Sequence, residues 1–305
     1  MQDEINNLKL QREFSLWETL NFLLTNLIPR HTCTRLMGRI SKVENKYFAR
    51  FAIRIWQLFS DDMRLHEAEK SNFNSIHECF TRRLKHDARP LEQDDKLLVS
   101  PCDAVIGAHG NIRNLEALQI KGMPYSLQDL TQGAVDLEPY RDGKFITLRL
   151  KSSMYHHMHA PVEGRCQKLH YISGDTWNVN PPTLKRVGKL FCRNERALIE
   201  LKPLDSNAHL LMVPVAAVLV ASMRFDGLDY PLSLSYKGPN EIEHLRSFKR
   251  GEHMGHFEHG STIVLLTSKH FSFMPLIKEG LIIRMGQALM RPNQINHQQQ
   301  KGSSL

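Results

Sequence analysis

The run "HLLMVPVAAVLVASM", from His209 to Met223, indicates the fold class of this 305-residue chain. Similar short apolar runs recur as "FITLRL" (Phe145–Leu150), "STIVLLT" (Ser261–Thr267) and "LIIRM" (Leu281–Met285). Each is bounded by Gly, Pro or Asp, which is typical of β-strands. Few segments with helical periodicity lie between them, so the pattern favours a predominantly antiparallel β domain.

The N-terminal part has a different pattern, because residues 14–59 predict helices. "FSLWETLNFLLTNLIP" places leucines at helical spacing and ends at Pro29. "KYFARFAIRIWQLF" puts aromatic and aliphatic residues on one side, with Arg50 and Arg54 interleaved. Aromatics and arginines on amphipathic helices are typical of helices that lie in a membrane interface. The alternative is a pair of helices that pack on the protein's own core.

We therefore expect an α+β fold with three regions along the chain. Residues 1–90 would hold the membrane-associating N-terminal helices and a linker, with a helix and then the linker in Ser71–Gln93. Residues 91–292 would form the β-rich domain. Residues 293–305 are polar and are expected to be a disordered tail.

Composition narrows the class of partner. The net charge of +8 favours an anionic partner, which means nucleic acid, anionic lipid or an acidic substrate, and much of the positive charge lies early in the chain. The five cysteines form no CxxC pair, which argues against a disulfide framework or a thiolate zinc site and favours a reducing compartment. No secretory signal and no apolar run of about 18 residues is present, so no transmembrane helix is predicted.

The densest group of chemically active side chains is in "SSMYHHMHAPVEG", Ser152 to Gly164. It holds His156, His157 and His159, and three interpretations compete for them. They could be metal ligands, structural groups satisfied by the backbone, or acid–base groups that titrate near neutrality. No HExxH helix motif and no carboxylate at a suggestive spacing accompanies them, so metal is the weakest of the three.

Two further residues have a structural and a chemical interpretation. Asp103, in "SPCDAVIG", would cap a turn or hold a histidine in one tautomer. Ser261 follows Gly260 directly and would be part of a turn or a nucleophile. Since Gly260 has no Cβ, its carbonyl can be approached closely. A serine hydroxyl that attacks this carbonyl converts the peptide bond to an ester, and a basic histidine would take the hydroxyl proton.

These segments together resemble the phosphatidylserine decarboxylases, the pyruvoyl-dependent enzymes of phospholipid synthesis, in their bacterial proenzyme form. The resemblance runs in family order from about residue 14 to residue 290. Three positions depart from the family pattern: Ala104 in place of Gly, His157 where Arg is common, and His259 where Leu is usual. The matching segments are "FNSIHECFTRRLKHDARPLE", "SPCDAVI", "IKGMPYSLQDLTQG", "YHHMHAPVEG", "NPPTLKRVGKLFCRNERALIEL" and "RGEHMGHFEHGST".

The resemblance implies a processing triad of Asp103, His159 and Ser261. His159 would act as the base on Ser261, and Asp103 would orient it. The chain would cut itself between Gly260 and Ser261 into a β chain, 1–260, and an α chain, 261–305. Ser261 would become a covalent pyruvoyl group that forms a Schiff base with phosphatidylserine and releases CO₂ to give phosphatidylethanolamine. His156 would assist decarboxylation, and no metal is expected.

The resemblance also implies partners and a location. The substrate would be phosphatidylserine in an anionic membrane, the α and β chains would stay associated, and a homodimer is compatible with the family. No nucleic acid is expected, and the protein would lie peripherally on the cytoplasmic side of the cell membrane. Two rival hypotheses are a lipid-binding protein that is not processed and a serine hydrolase, which the lack of a GxSxG motif disfavours.

Overall fold

Helices come first in the chain and strands dominate the rest. The computed structural model describes residues 15–26, 29–204, 206–218, 222–258 and 261–293. The α-helices are α1 (Leu16–Asn26), α2 (Arg30–Ser41), α3 (Lys46–Phe59), α4 (Ile76–Phe80), α5 (Leu127–Thr131), α6 (Pro181–Leu184) and α7 (Leu190–Arg193). Short 3₁₀ helices are Leu65–Glu67, His86–Ala88 and Glu138–Tyr140.

The strands pair antiparallel throughout the described ladders, so the predicted α+β class with mainly antiparallel strands is confirmed. The strands are β1 (Leu98–Val99), β2 (Ala104–Asn111), β3 (Glu116–Ile120), β4 (Met123–Ser126), β5 (Lys144–Leu150), β6 (His157–His159), β7 (Gly164–Ile172), β8 (Arg196–Pro203), β9 (Leu210–Ala216), β10 (Ser222–Phe225), β11 (Leu232–Ser233), β12 (Glu241–Phe248), β13 (His253–Phe257), β14 (Ser261–Thr267), β15 (Phe271–Phe273), β16 (Ile282–Ile283) and β17 (Ala288–Pro292).

An eight-stranded sheet forms the centre of the fold, in the order β12-β7-β8-β9-β14-β5-β2-β16. Its strand β14 is buried along its whole length. Because side chains alternate along a strand, Ile263 and Leu265 join the core on one face of the sheet, and Val264 and Leu266 join the core on the other. A strand covered on both faces reads as a continuous apolar run rather than an alternating one.

A second sheet has four strands, in the order β11-β10-β13-β6. Its strand β13 directly precedes β14 of the central sheet in the sequence. The chain leaves β13 at Phe257 and enters β14 at Ser261, so it passes from one sheet into the other within a few residues. Gly260 and His259 lie outside the described residues, and the predicted cut would fall in this passage. The position of Ser261 is set by its antiparallel partners, Leu150 on one side and Ala216 on the other.

Helix α3 begins where the side chain of Asn45 accepts hydrogen bonds from the backbone N–H groups of Tyr47 and Phe48. One face of α3 packs inward through Ala49 and Ile53, which belong to a small separate core. A second face, at i, i+3/i+4 and i+7 spacing, stays largely uncovered. Its exposed members include Phe51 (64%), Leu58 (80%) and Phe59 (86%).

The three helices α1 to α3 lie where residues 14–59 predicted helix, with residues 14, 27 and 28 outside the described part. Their association with a membrane stays a prediction. Among the described helices, none has the length and hydropathy needed to span a membrane. The predicted domain boundaries likewise stay predictions, and all of the predicted tail except Asn293 lies outside the described residues.

The helix predicted at the start of Ser71–Gln93 is short, because α4 covers only five residues. Tertiary hydrogen bonds replace helical ones after it. The buried guanidinium of Arg82 donates to the backbone oxygens of Met63 and Ser153, at 2.8 Å and 2.9 Å. These bonds tie the segment after α4 to two distant parts of the chain.

Candidate functional site

Ser261 is the first residue of β14, and its side chain is fully buried. Its hydroxyl has no hydrogen-bond partner among the described residues. A buried hydroxyl without a partner costs stability, because it has lost its hydrogen bonds to water. Such an atom in a buried strand calls for an explanation, and a role in the chemistry of the site is one that fits a serine.

Ser261 also lines the wall of a large cavity of about 1220 Å³. This exceeds the roughly 300–1,000 Å³ of pockets that hold drug-sized ligands. Helix α3 lines the same cavity through its exposed apolar face. Residues of α3 that line the cavity are Phe48, Phe51, Ala52, Ile55, Trp56, Leu58 and Phe59. The buried serine and the apolar face of α3 therefore border one cavity, which is large enough for an apolar ligand.

His156 lies close to this cavity, and its ring packs against Phe80 with the ring centres 4.1 Å apart. Phe80 is itself part of the cavity wall. His156 Nδ1 lies 2.9 Å from the backbone oxygen of Met154, so Nδ1 carries the hydrogen. Its Nε2 is buried without a partner in the described part of the chain and bears a lone pair. Burial lowers the pKa of His156 to about 3, so the ring is neutral at pH 7.

His159 is held at both ring nitrogens. Nδ1 donates to the backbone oxygen of Gly251 at 2.9 Å, which leaves Nε2 as the acceptor for the hydroxyl of Tyr155 at 3.1 Å. The backbone N–H of His159 donates to Pro101 at 2.8 Å, which fixes the end of β6 beside the segment that leads to Asp103. Burial lowers the pKa of His159 to about 4, so it is a neutral base at pH 7.

Asp103 is fully buried, and cations surround its carboxylate. Arg89 donates to both oxygens, from Nε to Oδ1 at 2.8 Å and from Nη2 to Oδ2 at 2.6 Å. Arg284 donates to Oδ2 at 3.0 Å, and the backbone N–H of Met285 donates to Oδ1 at 3.0 Å. A buried carboxylate needs such partners, because an uncompensated charge in the interior is strongly destabilising.

Among the described residues, Asp103 lies close enough to His159 to affect its pKa, but no hydrogen bond joins the two side chains. Ser261 is likewise not bonded to His159. The Coulombic influence of Asp103 raises the pKa of both His156 and His159, against the larger effect of burial. The processing triad therefore stays a prediction, and in this geometry Ser261 lines the same cavity as Phe80, whose ring packs on His156.

Sequence reasoning missed four residues of this site: Arg89, Arg284, Tyr155 and Phe80. The signal for Arg89 and Arg284 was available in principle, since a buried aspartate implies a cation beside it. Which of the chain's arginines would fill that role depends on tertiary contacts, because Arg284 lies 181 residues from Asp103. No comparable signal marked Tyr155 or Phe80.

Comparison with known proteins gives independent evidence on the family. Residues 76–291 match the family model described as phosphatidylserine decarboxylase. A phosphatidylserine decarboxylase proenzyme of Idiomarina loihiensis is 33% identical over 294 residues, covering 89% of this chain and 96% of that protein. The proenzyme of Pseudoalteromonas translucida is 34% identical over 251 residues, covering 78% of this chain and 85% of that protein.

A third relative, the phosphatidylserine decarboxylase proenzyme of Shewanella baltica, is 32% identical over 295 residues, covering 92% of this chain and 99% of that protein. The match to the family model spans Asp103, His156, His159 and Ser261. The chain belongs to the phosphatidylserine decarboxylase family.

Proposed function

We propose that this chain is a phosphatidylserine decarboxylase that is made as a proenzyme and cuts itself between Gly260 and Ser261. The observation that carries the proposal is the buried hydroxyl of Ser261, which has no partner among the described residues and lines the large cavity. Membership of the family supports the reaction class. The products are phosphatidylethanolamine and CO₂.

The cut follows from the chemistry of Ser261. Its Oγ attacks the Gly260 carbonyl and the peptide bond becomes an ester, while a neutral base takes the hydroxyl proton. Loss of the Ser261 α-proton then expels the Gly260 carboxylate by β-elimination. Water replaces the amine of the resulting N-terminal residue, ammonia leaves, and a pyruvoyl group remains on the α chain.

His159 is the base in this proposal. Its Nδ1–H is held by Gly251, so the lone pair is at Nε2, and its low pKa keeps that lone pair free of a proton at pH 7. The hydroxyl of Tyr155 occupies Nε2 in the present geometry and would have to give way. Asp103, held by Arg89 and Arg284, would favour any positive charge that develops on His159.

Decarboxylation needs an electron sink, which a pyruvoyl group derived from Ser261 would supply. The chain's own contribution is placement and proton transfer. His156 Nε2, a buried lone pair beside the cavity wall, is suited to carry a proton to or from the reacting carbon. The apolar face of α3 would hold the acyl chains, which favours peripheral contact with a membrane, and we place that contact on the cytoplasmic side of an anionic membrane.

Mass spectrometry of the purified protein tests the cut. We expect two chains that separate after Gly260, with a blocked, carbonyl-bearing N-terminus on the shorter one. Ser261→Ala should give a single uncut chain. Ser268→Ala is the matched control, because Ser268 is also buried and directly follows the other end of β14. It should be cut normally.

Release of CO₂ from phosphatidylserine vesicles tests the reaction. The wild type and Ser268→Ala should release it, and Ser261→Ala should not. An uncut wild-type chain that still binds these vesicles would favour the rival hypothesis of an unprocessed lipid-binding protein. CO₂ release by Ser261→Ala would refute the pyruvoyl mechanism and leave the decarboxylase activity standing.

A further inference from the structure

Three histidines that the proposed reaction does not use meet between β6 and β13. They are His157, His253 and His256, and their potential ligand atoms all lie within 4.8 Å of one another. His157 is buried, and the other two are half-buried. His157 and His253 are 96 residues apart in the chain, so no local spacing pattern indicates this cluster.

The strand pairing explains why the three rings share one side of the sheet. His256 lies directly opposite His157, and His253 lies opposite His159. Residues three apart on a regular strand point to opposite faces. A β-bulge between His253 and Gly255 inserts one extra residue, which brings His253 and His256 to the same side. A Cβ at Gly255 would lie 2.1 Å from the backbone oxygen of Arg224, so glycine is required at this bulge.

The outer contacts of two rings define which nitrogens face inward. His157 Nε2 lies 3.1 Å from the backbone oxygen of Thr81, and His253 Nδ1 lies 2.7 Å from Oδ2 of Asp226. Both outer partners are acceptors, so both outer nitrogens carry hydrogen. The inner nitrogens, His157 Nδ1 and His253 Nε2, then present lone pairs to each other across 2.7 Å. Two facing lone pairs need a cation between them, which is either a proton or a metal ion.

His256 completes the cluster. Its ring stacks on that of His157 with the centres 5.0 Å apart, and its nitrogens have no hydrogen-bond partner within the described part of the chain. Metal-binding histidines usually donate their other ring N–H to a hydrogen-bond acceptor, and two of these histidines have such an acceptor. Asp226 behind His253 and the Thr81 carbonyl behind His157 fix the tautomer and the orientation of each ring.

We propose that His157, His253 and His256 bind a zinc ion. Three imidazoles suit zinc, whereas Mg²⁺ and Ca²⁺ prefer oxygen ligands. Tetrahedral zinc with Zn–N bonds of about 2.0–2.1 Å needs nitrogens about 3.3 Å apart. The His157–His253 pair would open slightly, and His256 would rotate inward. The ion would tie β13, the strand before the predicted cut, to β6, which carries His159.

The site is tested on the full chain after treatment with a chelator, addition of Zn²⁺ and removal of unbound metal. We expect about one zinc per chain by elemental analysis. His256→Gln should lose it, because it removes a ligand without breaking a hydrogen bond between described residues. His170→Gln, in β7 of the other sheet, is the matched control and should retain the zinc.

Asp226→Asn sharpens the test. It leaves all three ligands in place and should weaken zinc binding about 10- to 100-fold, the usual cost of losing such an outer partner. Co²⁺ in place of zinc should give tetrahedral visible absorption in the wild type and in His170→Gln, and none in His256→Gln. Thermal melting checks that each variant is folded.

Equal zinc retention by the wild type and His256→Gln would overturn the proposal, and so would a wild type that retains none. The proposed ligands and Asp226 all precede Gly260, so uncut Ser261→Ala protein should bind zinc as well. The outcome therefore does not depend on whether the chain cuts itself.

Discussion

Strand β14 and helix α3 are both rich in apolar residues, and both contribute to the lining of one cavity, β14 through Ser261. Every residue of β14 is buried, because cores cover both faces of its sheet. In α3 only Ala49 and Ile53 are fully covered, and residues such as Leu58 and Phe59 are mostly exposed.

The difference indicates what each apolar surface contacts. The side chains of β14 contribute to the folding of this chain itself. The outer face of α3 forms a contiguous apolar surface, and surfaces of this kind on soluble domains usually mark an interaction site. Arg50 and Arg54 are exposed on the same helix, which makes an anionic lipid surface the occupant we propose. The predictions that follow separate folding from lipid binding.

The largest expected effect is on stability. Leu265→Ala in β14 should lower the free energy of unfolding by about 2–5 kcal/mol, because it leaves a cavity in the core. Leu58→Ala in α3 should change it by less than about 0.5 kcal/mol, since that side chain is 80% exposed. Denaturant unfolding measures both. Similar losses at the two positions would show that the outer face of α3 also packs on the protein in solution.

The second effect is on vesicle binding, for which α3 and not β14 should matter. Replacing Leu58 and Phe59 together by Ser should weaken binding to anionic vesicles by about 3 kcal/mol, because each exposed side chain loses its burial in lipid. Leu245→Ser is the matched control, since Leu245 is 75% exposed on β12. Vesicle co-sedimentation measures the bound fraction. Equal weakening by the control would refute α3 as the specific contact.

A third, smaller effect concerns charge. Arg54→Gln should weaken binding to anionic vesicles by about 1 kcal/mol and leave binding to neutral vesicles unchanged. Arg165→Gln, an exposed arginine on β7, is the control and should have no effect. The difference should shrink at high salt, because ions screen exposed charges. An equal loss on neutral vesicles would mean that Arg54 acts through packing.

The smallest expected effect is the pH dependence of the cut. A base must be unprotonated, and burial lowers the pKa of His159 to about 4. The rate of cleavage should therefore change by less than about twofold from pH 7 to pH 5 and fall only as the pH approaches 4. With a base of the ordinary histidine pKa, about 6.5, the rate would fall about 25-fold over the same range. Gel densitometry after in vitro synthesis follows the rate.

Much of the fold was predictable, because short-range sequence patterns indicate its strands and helices. The runs Phe145–Leu150 and Ser261–Thr267 lie within β5 and β14, and the apolar spacing of residues 46–59 corresponds to α3. The helix predicted at the start of Ser71–Gln93 is present as α4, and side-chain bonds of Arg82 to distant backbone oxygens follow it. Only Ile282–Ile283 of the run Leu281–Met285 is strand.

The candidate site was also predictable only in part. Asp103, His156, His159 and Ser261 were named from their motifs, and the family they imply is confirmed. The partners of those residues were not predictable, because contacts such as Arg284 with Asp103 join distant parts of the chain.

The amino-acid sequence by itself determined the strand-rich class, the helical N-terminus and the family, since periodicity and ordered motifs are local properties of the chain. Only the tertiary structure decided that Ser261 is buried beside a cavity walled by α3, that Arg89 and Arg284 hold Asp103, and that a bulge aligns His253 with His256. Those facts depend on sheet register and packing between residues far apart in the chain, which no local pattern specifies.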